Sequence, residues 1–249
     1  MMVSLICCIE TMSAAYELHQ APSAADLAQD LADWVAGRLA EDLARRGQAL
    51  LVVSGGSTPV PFFEALRTRP LDWSRVTITL ADERWVSRDD QRSNELLVRT
   101  HLLQGPVASA KWVSLTTADE SPALGCETVE WRLKQLPWPA TVTVLGMGGD
   151  GHTASLFPVA DERVWHQWAA LPTRCMPVGA PAEPNVPVPR ISLTPSCLLD
   201  ARALVVHATG AAKWPLWQRA EHGGECHALP IRFVLAQQTV PVHLFYSGS

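Results

Sequence analysis

No uninterrupted apolar run in the chain approaches the ~20 residues that a helix needs to cross a bilayer, so no membrane-spanning helix is expected. Basic residues form no block or stripe; 20 lysines and arginines stand against 25 acidic residues, a formal charge of −5. The electrostatic footprint of a nucleic-acid binder is missing, and an anionic ligand has to be held by a local cluster of donors. Cysteine is sparse and unpatterned. The six, Cys7, Cys8, Cys126, Cys175, Cys197 and Cys226, include no CxxC pair. In a chain of this length they read as buried free thiols of a reducing, cytoplasmic compartment. His222, Cys226 and His227 come nearest to a metal cluster, but their spacing is wrong for a zinc finger and reads as a polar surface loop. There is no internal repeat and no low-complexity tail. The start, MMVSLICCIE, lacks the basic n-region and cleavage site of a secretory signal. Residues 1–20 therefore read as a strand or ragged extension, with Met12 an alternative start.

What is present suits one sizeable domain over residues 1–249, at 47% hydrophobic and 18% charged residues. The stretch that organises it is Thr141 to Pro158, TVTVLGMGGDGHTASLFP. Thr141 to Leu145 is continuously apolar or β-branched, as expected of a strand buried on both faces of a parallel sheet. Four glycines follow within six residues, Gly146, Gly148, Gly149 and Gly151, and glycine lets a ligand approach the backbone closely. Asp150 and His152 stand just past the strand end. Thr153 to Leu156 reads as a helix start, stopped by Pro158. No Gly-Lys-Ser/Thr follows, so this is not a Walker loop, and it fits the dinucleotide fingerprint poorly. Polar groups at the carboxyl end of a strand are where open α/β sheets bind ligands.

Elsewhere strands and helices alternate. Ser23 caps an amphipathic helix over residues 24–46, with Leu27, Leu31, Leu39 and Leu43 at helical spacing and Gly47 at its C′ position. Ala49 to Val53 is a short buried strand that feeds Ser54-Gly55-Gly56-Ser57-Thr58-Pro59 and then a helix over residues 61–67. Strand, glycine turn, hydroxyls and helix start make a good anion site, although an ordinary βα loop shares much of the pattern. Val76 to Leu80 is the next strand. Asp82 and Arg84 alternate after it, so in extended backbone they point the same way. Ser93 caps a helix with Leu96, Leu97, Leu102 and Leu103 on its inner face. A short strand at residues 112–115 and a helix from Ser121-Pro122 to about Leu136 follow, then a short helix within residues 159–170. The proline-rich run from Pro172 to Pro189 reads as a loop or hairpin across the sheet edge, with strands near residues 174–178 and 190–193. Thr194-Pro195 opens a short turn. Residues 203–207 form a strand, a helix over residues 211–220 carries Lys213 in its first turn, and residues 240–245 close as the last strand.

This alternation predicts an α/β fold with a doubly wound, mostly parallel sheet and helices on both faces. Three strand ends carry the polar groups, and strand ends on one edge of such a sheet share a crevice. Five ordered segments then resemble the 6-phosphogluconolactonase family: Ser54 to Pro59; Asp82 to Val86 with Arg92-Ser93-Asn94; Leu145 to Pro158; Arg190 to Thr194; and Gly210 to Lys213. The resemblance runs from about residue 23 to 245. It implies hydrolysis of 6-phospho-D-glucono-1,5-lactone in the pentose phosphate pathway. It also implies the Rossmann-like fold of glucosamine-6-phosphate deaminase, with no cofactor and no metal. The expected partner is a small phosphosugar lactone, and the expected state a monomer or weak homo-oligomer.

A lactone is an activated ester that water can open without a covalent intermediate, given a base near neutral pH. The reading assigns His152 as that base, with Asp150 or Asp82 orienting it or the substrate. The oxyanion falls to turn N–H groups or an arginine. The phosphate falls to the turn of Gly55, Gly56, Ser57 and Thr58, with Arg84, Arg190 or Lys213 supplying charge. The rival within this fold is the aldose–ketose isomerising deaminase, which has a glutamate five positions after the histidine. Here that position is Phe157, which cannot shuttle protons. A non-catalytic phosphosugar sensor would need a helix-turn-helix region, and an enzyme-like domain of this length leaves no obvious room for one. The N-terminal segment and a short C-terminus, ending Phe245-Tyr246-Ser247-Gly248-Ser249, depart from the family pattern.

Overall fold

The computed structural model describes residues 16–249 of the chain; the readings that fall on Cys7, Cys8 and Met12 lie outside the described residues. The first element, β1 (Tyr16–Gln20), decides between the two readings of the N-terminal segment for residues 16–20, which form a strand and not a ragged extension. It pairs in parallel with residues 242–246 of the last strand. Its side chains are mostly exposed, so it is held by ladder hydrogen bonds to a segment more than two hundred residues away, which no local pattern reveals.

Ser23 accepts a hydrogen bond from Asp26 N–H and starts α1 (Ala24–Arg46), which Gly47 ends at φ 75° with its N–H on Leu43 O. The chain continues through β2 (Ala49–Val53), α2 (Val60–Leu66), β3 (Val76–Leu80), β4 (Asp82–Arg84), α3 (Asn94–His101), β5 (Lys111–Val113), α4 (Pro122–Lys134) and β6 (Val142–Gly146). Then come α5 (Glu162–Ala170), β7 (Cys175–Val178), β8 (Arg190–Leu193), α6 (Pro195–Leu198), β9 (Leu204–Thr209), α7 (Lys213–Glu221), α8 (Arg232–Leu235) and β10 (Val242–Ser247). Seven strands form one parallel sheet in the order β1-β10-β9-β6-β2-β3-β5. Right-handed crossovers put α1, α2 and α3 on one face and α4, α5 and α7 on the other. Every residue of β2 and β3 is buried, as their continuous apolar runs require.

Three local readings are corrected. Residues 153–156 form a turn rather than a helix start: Thr153 bridges back to Leu156, and Ala154 takes φ 49°, which a right-handed helix cannot contain. Of the leucines read as the inner face of α3, Leu102 is fully buried and Leu97 and Leu103 pack against the core from partly buried positions; the residues within α3 that are themselves buried are Asn94, Glu95 and Val98, so the reading is corrected at Leu96. The proline-rich hairpin does not simply pack across the sheet edge. β7 and β8 join β4 in a separate antiparallel sheet of order β4-β8-β7. Leu193 N–H on Ala81 O, 2.8 Å, ties that small sheet to the carboxyl end of β3.

Glu83 locks this second sheet to α3. One carboxylate oxygen, Oε1, accepts Arg84 N–H at 2.6 Å and Asn94 N–H at 2.7 Å. The other, Oε2, accepts Glu95 N–H at 2.6 Å and Ser93 Oγ–H at 3.0 Å. Burial pushes its pKa up to about 7, against the pull of the three backbone N–H groups. Glu83→Gln is expected to destabilise the fold by about 1–3 kcal/mol, because either placement of the amide sets its NH2 against two donors. Urea unfolding of the two proteins checks this; an unchanged midpoint would remove Glu83 from that role.

Candidate active site

β2 and β6 are hydrogen-bonded neighbours, yet their chains leave in opposite directions, to β3 on one side and towards β9 on the other. A crevice opens between the two carboxyl ends, the topological switch point of the sheet. It holds a cavity of about 240 Å³, lined by the whole 54–59 turn, by Asp82, Arg84 and Asn94, by 144–148 and 152–154, and by Arg190 and His207.

The turn after β2 is shaped by close packing. A Cβ on Gly55 would fall 1.9 Å from Asn94 Oδ1, and Gly56 takes φ 92°; only glycine meets the first condition and glycine best meets the second. Asn94 in turn donates to Asp82 O at 2.9 Å. Gly56 and Ser57 are exposed at the cavity mouth, and Ser54 is turned away, donating to Val144 O at 3.1 Å.

The turn after β6 brings Asp150 to His152. Asp150 Oδ1 meets His152 Nδ1 at 2.5 Å and accepts the His152 backbone N–H at 3.0 Å. Asn185 Nδ2 donates to the other carboxylate oxygen at 3.2 Å. Burial alone would raise the Asp150 pKa; the bonds from His152 and Asn185 outweigh it and hold the carboxyl well below the usual carboxylate range. With Nδ1 bonded to a carboxylate, the His152 ring is held in the tautomer whose Nε2 carries the lone pair. The loop is closed by Gly148 N–H on His152 O, 2.8 Å. It is backed by Leu229 and by Ile231 N–H on Gly151 O, 2.9 Å, contributions from just before α8 that the sequence reading missed.

Asp82 does not touch this imidazole. Its Oδ2 accepts Ser155 Oγ–H at 2.6 Å and lies 3.8 Å from Arg190 Nη1. Arg84 and Arg190 are register partners on β4 and β8, two like charges set directly opposite. Arg84 Nη1 donates to Arg92 O at 2.6 Å and Arg190 Nη2 to Val186 O at 2.9 Å. The buried Nε of each has no partner among the described residues. Burial, then the nearby Arg84 charge, lowers the Arg190 pKa. Phe157 lies beneath both chemistries, its ring centroid 4.8 Å from that of His152 and 5.4 Å from the Arg190 guanidinium.

Lys213 is near but not in the cavity wall. From the first turn of α7 its Nζ donates to Met147 O at 2.7 Å, gripping the loop after β6. His207 was read only as a strand end; the one signal was a polar residue inside the apolar run Ala203 to Ala208. Asn94 and Ser155 stood only inside segments that carry the resemblance and were given no role, and Asn185 had no signal; each acts through a side-chain bond to a distant loop.

Two groups of described residues bring enough ligand atoms together for a metal, Glu17 with His19 and His243, and Glu162 with Glu225 and His227. Neither contains a cavity-lining residue. His222 instead bonds Gln218 O at 2.6 Å, and Cys226 is buried, so the polar surface-loop reading of residues 222–227 is corrected at Cys226, where the chain folds inward before α8. None of Cys126, Cys175, Cys197 and Cys226 is in a disulfide; three are buried and Cys126 is half-buried. No helix among the described residues is long and apolar enough to cross a membrane.

Residues 22–243 match the family described as glucosamine-6-phosphate isomerases/6-phosphogluconolactonase. The chain is 43% identical over 219 residues to a 6-phosphogluconolactonase of Pseudomonas aeruginosa, covering 88% of this chain and 91% of that protein. It is 41% identical over 236 residues to one of Rhizobium meliloti, covering 95% and 100%. The crystal structure of a 6-phosphogluconolactonase from Shewanella baltica superposes with TM-score 0.89 at 39% identity, over 95% of this chain and 99% of that one. A monomeric glucosamine-6-phosphate deaminase, 17% identical with TM-score 0.75 over 93% and 97% of the two chains, has the same fold.

A Cβ on Gly148 would lie 2.1 Å from His152 Nδ1 and 2.8 Å from Asp150 Oδ1. Gly148→Ala is therefore expected to part the ring from the carboxylate. Ring-nitrogen NMR shifts above neutrality will report Nδ1 protonation for His152 in the parent and loss of that preference in the variant. Identical shifts in both would sink the assignment.

Proposed function

The chain belongs to the glucosamine-6-phosphate isomerase/6-phosphogluconolactonase family and has the activity of its lactonase members, and from this we propose that it opens 6-phospho-D-glucono-1,5-lactone by attack of a water that His152 deprotonates. The reaction belongs to the oxidative pentose phosphate pathway and yields 6-phospho-D-gluconate. The observation that carries the mechanism is the Asp150–His152 pair at the rim of a cavity whose other rim is the 54–58 turn.

His152 Nε2 takes the proton of the attacking water, and Asp150 stabilises the imidazolium that forms, as a carboxylate held in its ionised state can. Asp150 is thus the orienting carboxylate. Asp82 instead positions Arg190 and Ser155, and its role is to hold the cation side of the cavity in register. The tetrahedral oxyanion is met by turn N–H groups or a guanidinium. The phosphate sits on the turn of Gly55, Gly56, Ser57 and Thr58, with Arg84 and Arg190, which line the same cavity, supplying charge. Lys213 adds charge from the loop side; an ammonium has three donors, and Met147 O uses one of them. The isomerising alternative lacks its proton relay, because the ring of Phe157 packs against His152.

His152→Ala is expected to lower kcat by about 10²–10⁴, the usual contribution of general acid–base catalysis. Lactone generated by glucose-6-phosphate dehydrogenase and followed as 6-phosphogluconate, with an enzyme-free control for spontaneous opening, measures it. A loss under about tenfold would exclude His152 as the base. Arg84→Ala and Lys213→Ala are expected to raise KM for the phosphorylated lactone far more than for gluconolactone itself; equal effects on both would refute the phosphate assignment.

A further inference from the structure

Away from the crevice, at the β1 edge of the main sheet, three side chains meet that the lactonase site does not use. Glu17 and His19 stand two apart on β1, and His243 of β10 is the register partner of Glu17. Side chains alternate along a strand, so all three project from one face. His19 Nε2 lies 3.2 Å from His243 Nδ1. Glu17 Oε1 is 3.5 Å from His19 Nε2, and its Oε2 is 3.3 Å from His243 Nδ1. Packing holds both rings. His19 stacks on Phe245 with centroids 4.2 Å apart and planes 5° from parallel, and Trp34 of α1 lies 4.5 Å from the His243 ring. Arg38, the cation close by, lies over Trp34 and is paired with Glu41.

Protons alone cannot satisfy these three contacts. A neutral imidazole nitrogen carries either an N–H or a lone pair. With the proton on His19 Nε2, the lone pair of His243 Nδ1 faces the Glu17 carboxylate. With it on His243 Nδ1, the His19 lone pair faces the carboxylate. With a proton on both, the two N–H groups face each other. A cation between the three atoms satisfies all of them, because each then turns a lone pair inward. The spacing suits it. At Zn–N and Zn–O distances of about 2.0–2.2 Å, neighbouring ligands of a tetrahedral zinc lie roughly 3.3–3.5 Å apart, and the three sides of this triangle run from 3.2 to 3.5 Å. Two imidazoles and one carboxylate suit zinc, whereas calcium and magnesium take oxygen ligands. The ion has a path in, since β1 is an edge strand and the Glu17 side chain is 64% exposed.

We propose that Glu17, His19 and His243 form a zinc site, with water in the fourth position, that clamps β1 to β10. Its role is structural, because none of the three lines the crevice, and it stands independently of the lactonase reading. The side chains of β1 are mostly exposed, so the strand buries little apolar surface of its own. A metal ligated from both strands supplies a cross-strand bond at that position, and binding to the folded state alone adds to stability as zinc rises.

Zinc chloride titrated calorimetrically into the full chain, first treated with EDTA, tests it. The parent is expected to bind one zinc at this site and to melt at rising temperature as zinc is added. His19→Ala and His243→Ala are expected to weaken that binding by more than about 100-fold, beyond the usual cost of losing an outer partner of a metal ligand. Glu17→Gln, which keeps an oxygen but loses the charge, is expected to weaken it by at least about tenfold, again beyond the low end of that range. Glu17 and His19 lie on the open edge, so their variants keep the test readable if His243→Ala fails to fold. X-ray absorption at the zinc edge should show nitrogen and oxygen ligands at about 2.0–2.1 Å; sulfur at about 2.3 Å would place the metal on cysteines instead and overturn the site. So would a folded parent that binds no zinc, or His19→Ala and Glu17→Gln binding it as the parent does. A melting temperature that zinc raises equally in parent and His19→Ala would also refute it.

Discussion

Two hydrogen-bonded strands that send their chains opposite ways create the space on which the chemistry depends. Where β2 and β6 end side by side, neither following segment crosses the gap, because one turns towards β3 and the other towards β9. The two turns that follow the strand ends therefore line a common crevice. The glycines on either side are the consequence. Gly55 admits the Asn94 side chain and Gly148 admits the Asp150–His152 pair, and a Cβ at either would overlap those groups, well inside van der Waals contact. Close approach, more than turn flexibility, is what these two glycines supply.

The small antiparallel sheet gives the crevice its charge. By standing β4 against β8 it places Arg84 opposite Arg190, an arrangement that repels in isolation. Asp82, Ser155 and the carbonyls of Arg92 and Val186 compensate it. Glu83, with four donors on its carboxylate, ties β4 to the N-terminus of α3. The result is a crevice lined on one side by Arg84 and Arg190 and elsewhere by His152 and the 54–59 turn.

Much of this was legible before folding was considered. The buried runs at residues 49–53 and 76–80 are strands with the bounds their apolar residues predict. The caps at Ser23, Ser93, Ser121 and Thr194 each accept the backbone N–H three residues on. These signals are local, since a cap or a continuous apolar run acts within a few residues. The failures have the opposite character. β1 exists through its partner β10, and the second sheet through a pairing of residues 82–84 with 190–192; the turn at 153–156 is tied down by Ser155, bonded to Asp82 and Ser192. None of these partners is near in sequence.

The amino-acid sequence by itself determined the alternating α/β plan, the glycine turns after two buried strands, and the identity of the histidine and carboxylates that stand beyond them. It did so because strand burial, capping and glycine placement are properties of short segments. Only the tertiary structure decided which carboxylate meets the imidazole. Asp82 and Asp150 are equally well placed in sequence at strand ends, but β4 turns Asp82 towards Arg190 and Ser155, while the tight 148–152 loop folds Asp150 onto His152. It likewise decided that His207 lies in the cavity wall, because the side of a strand that faces a crevice is set by its neighbours in the sheet and not by its own residues.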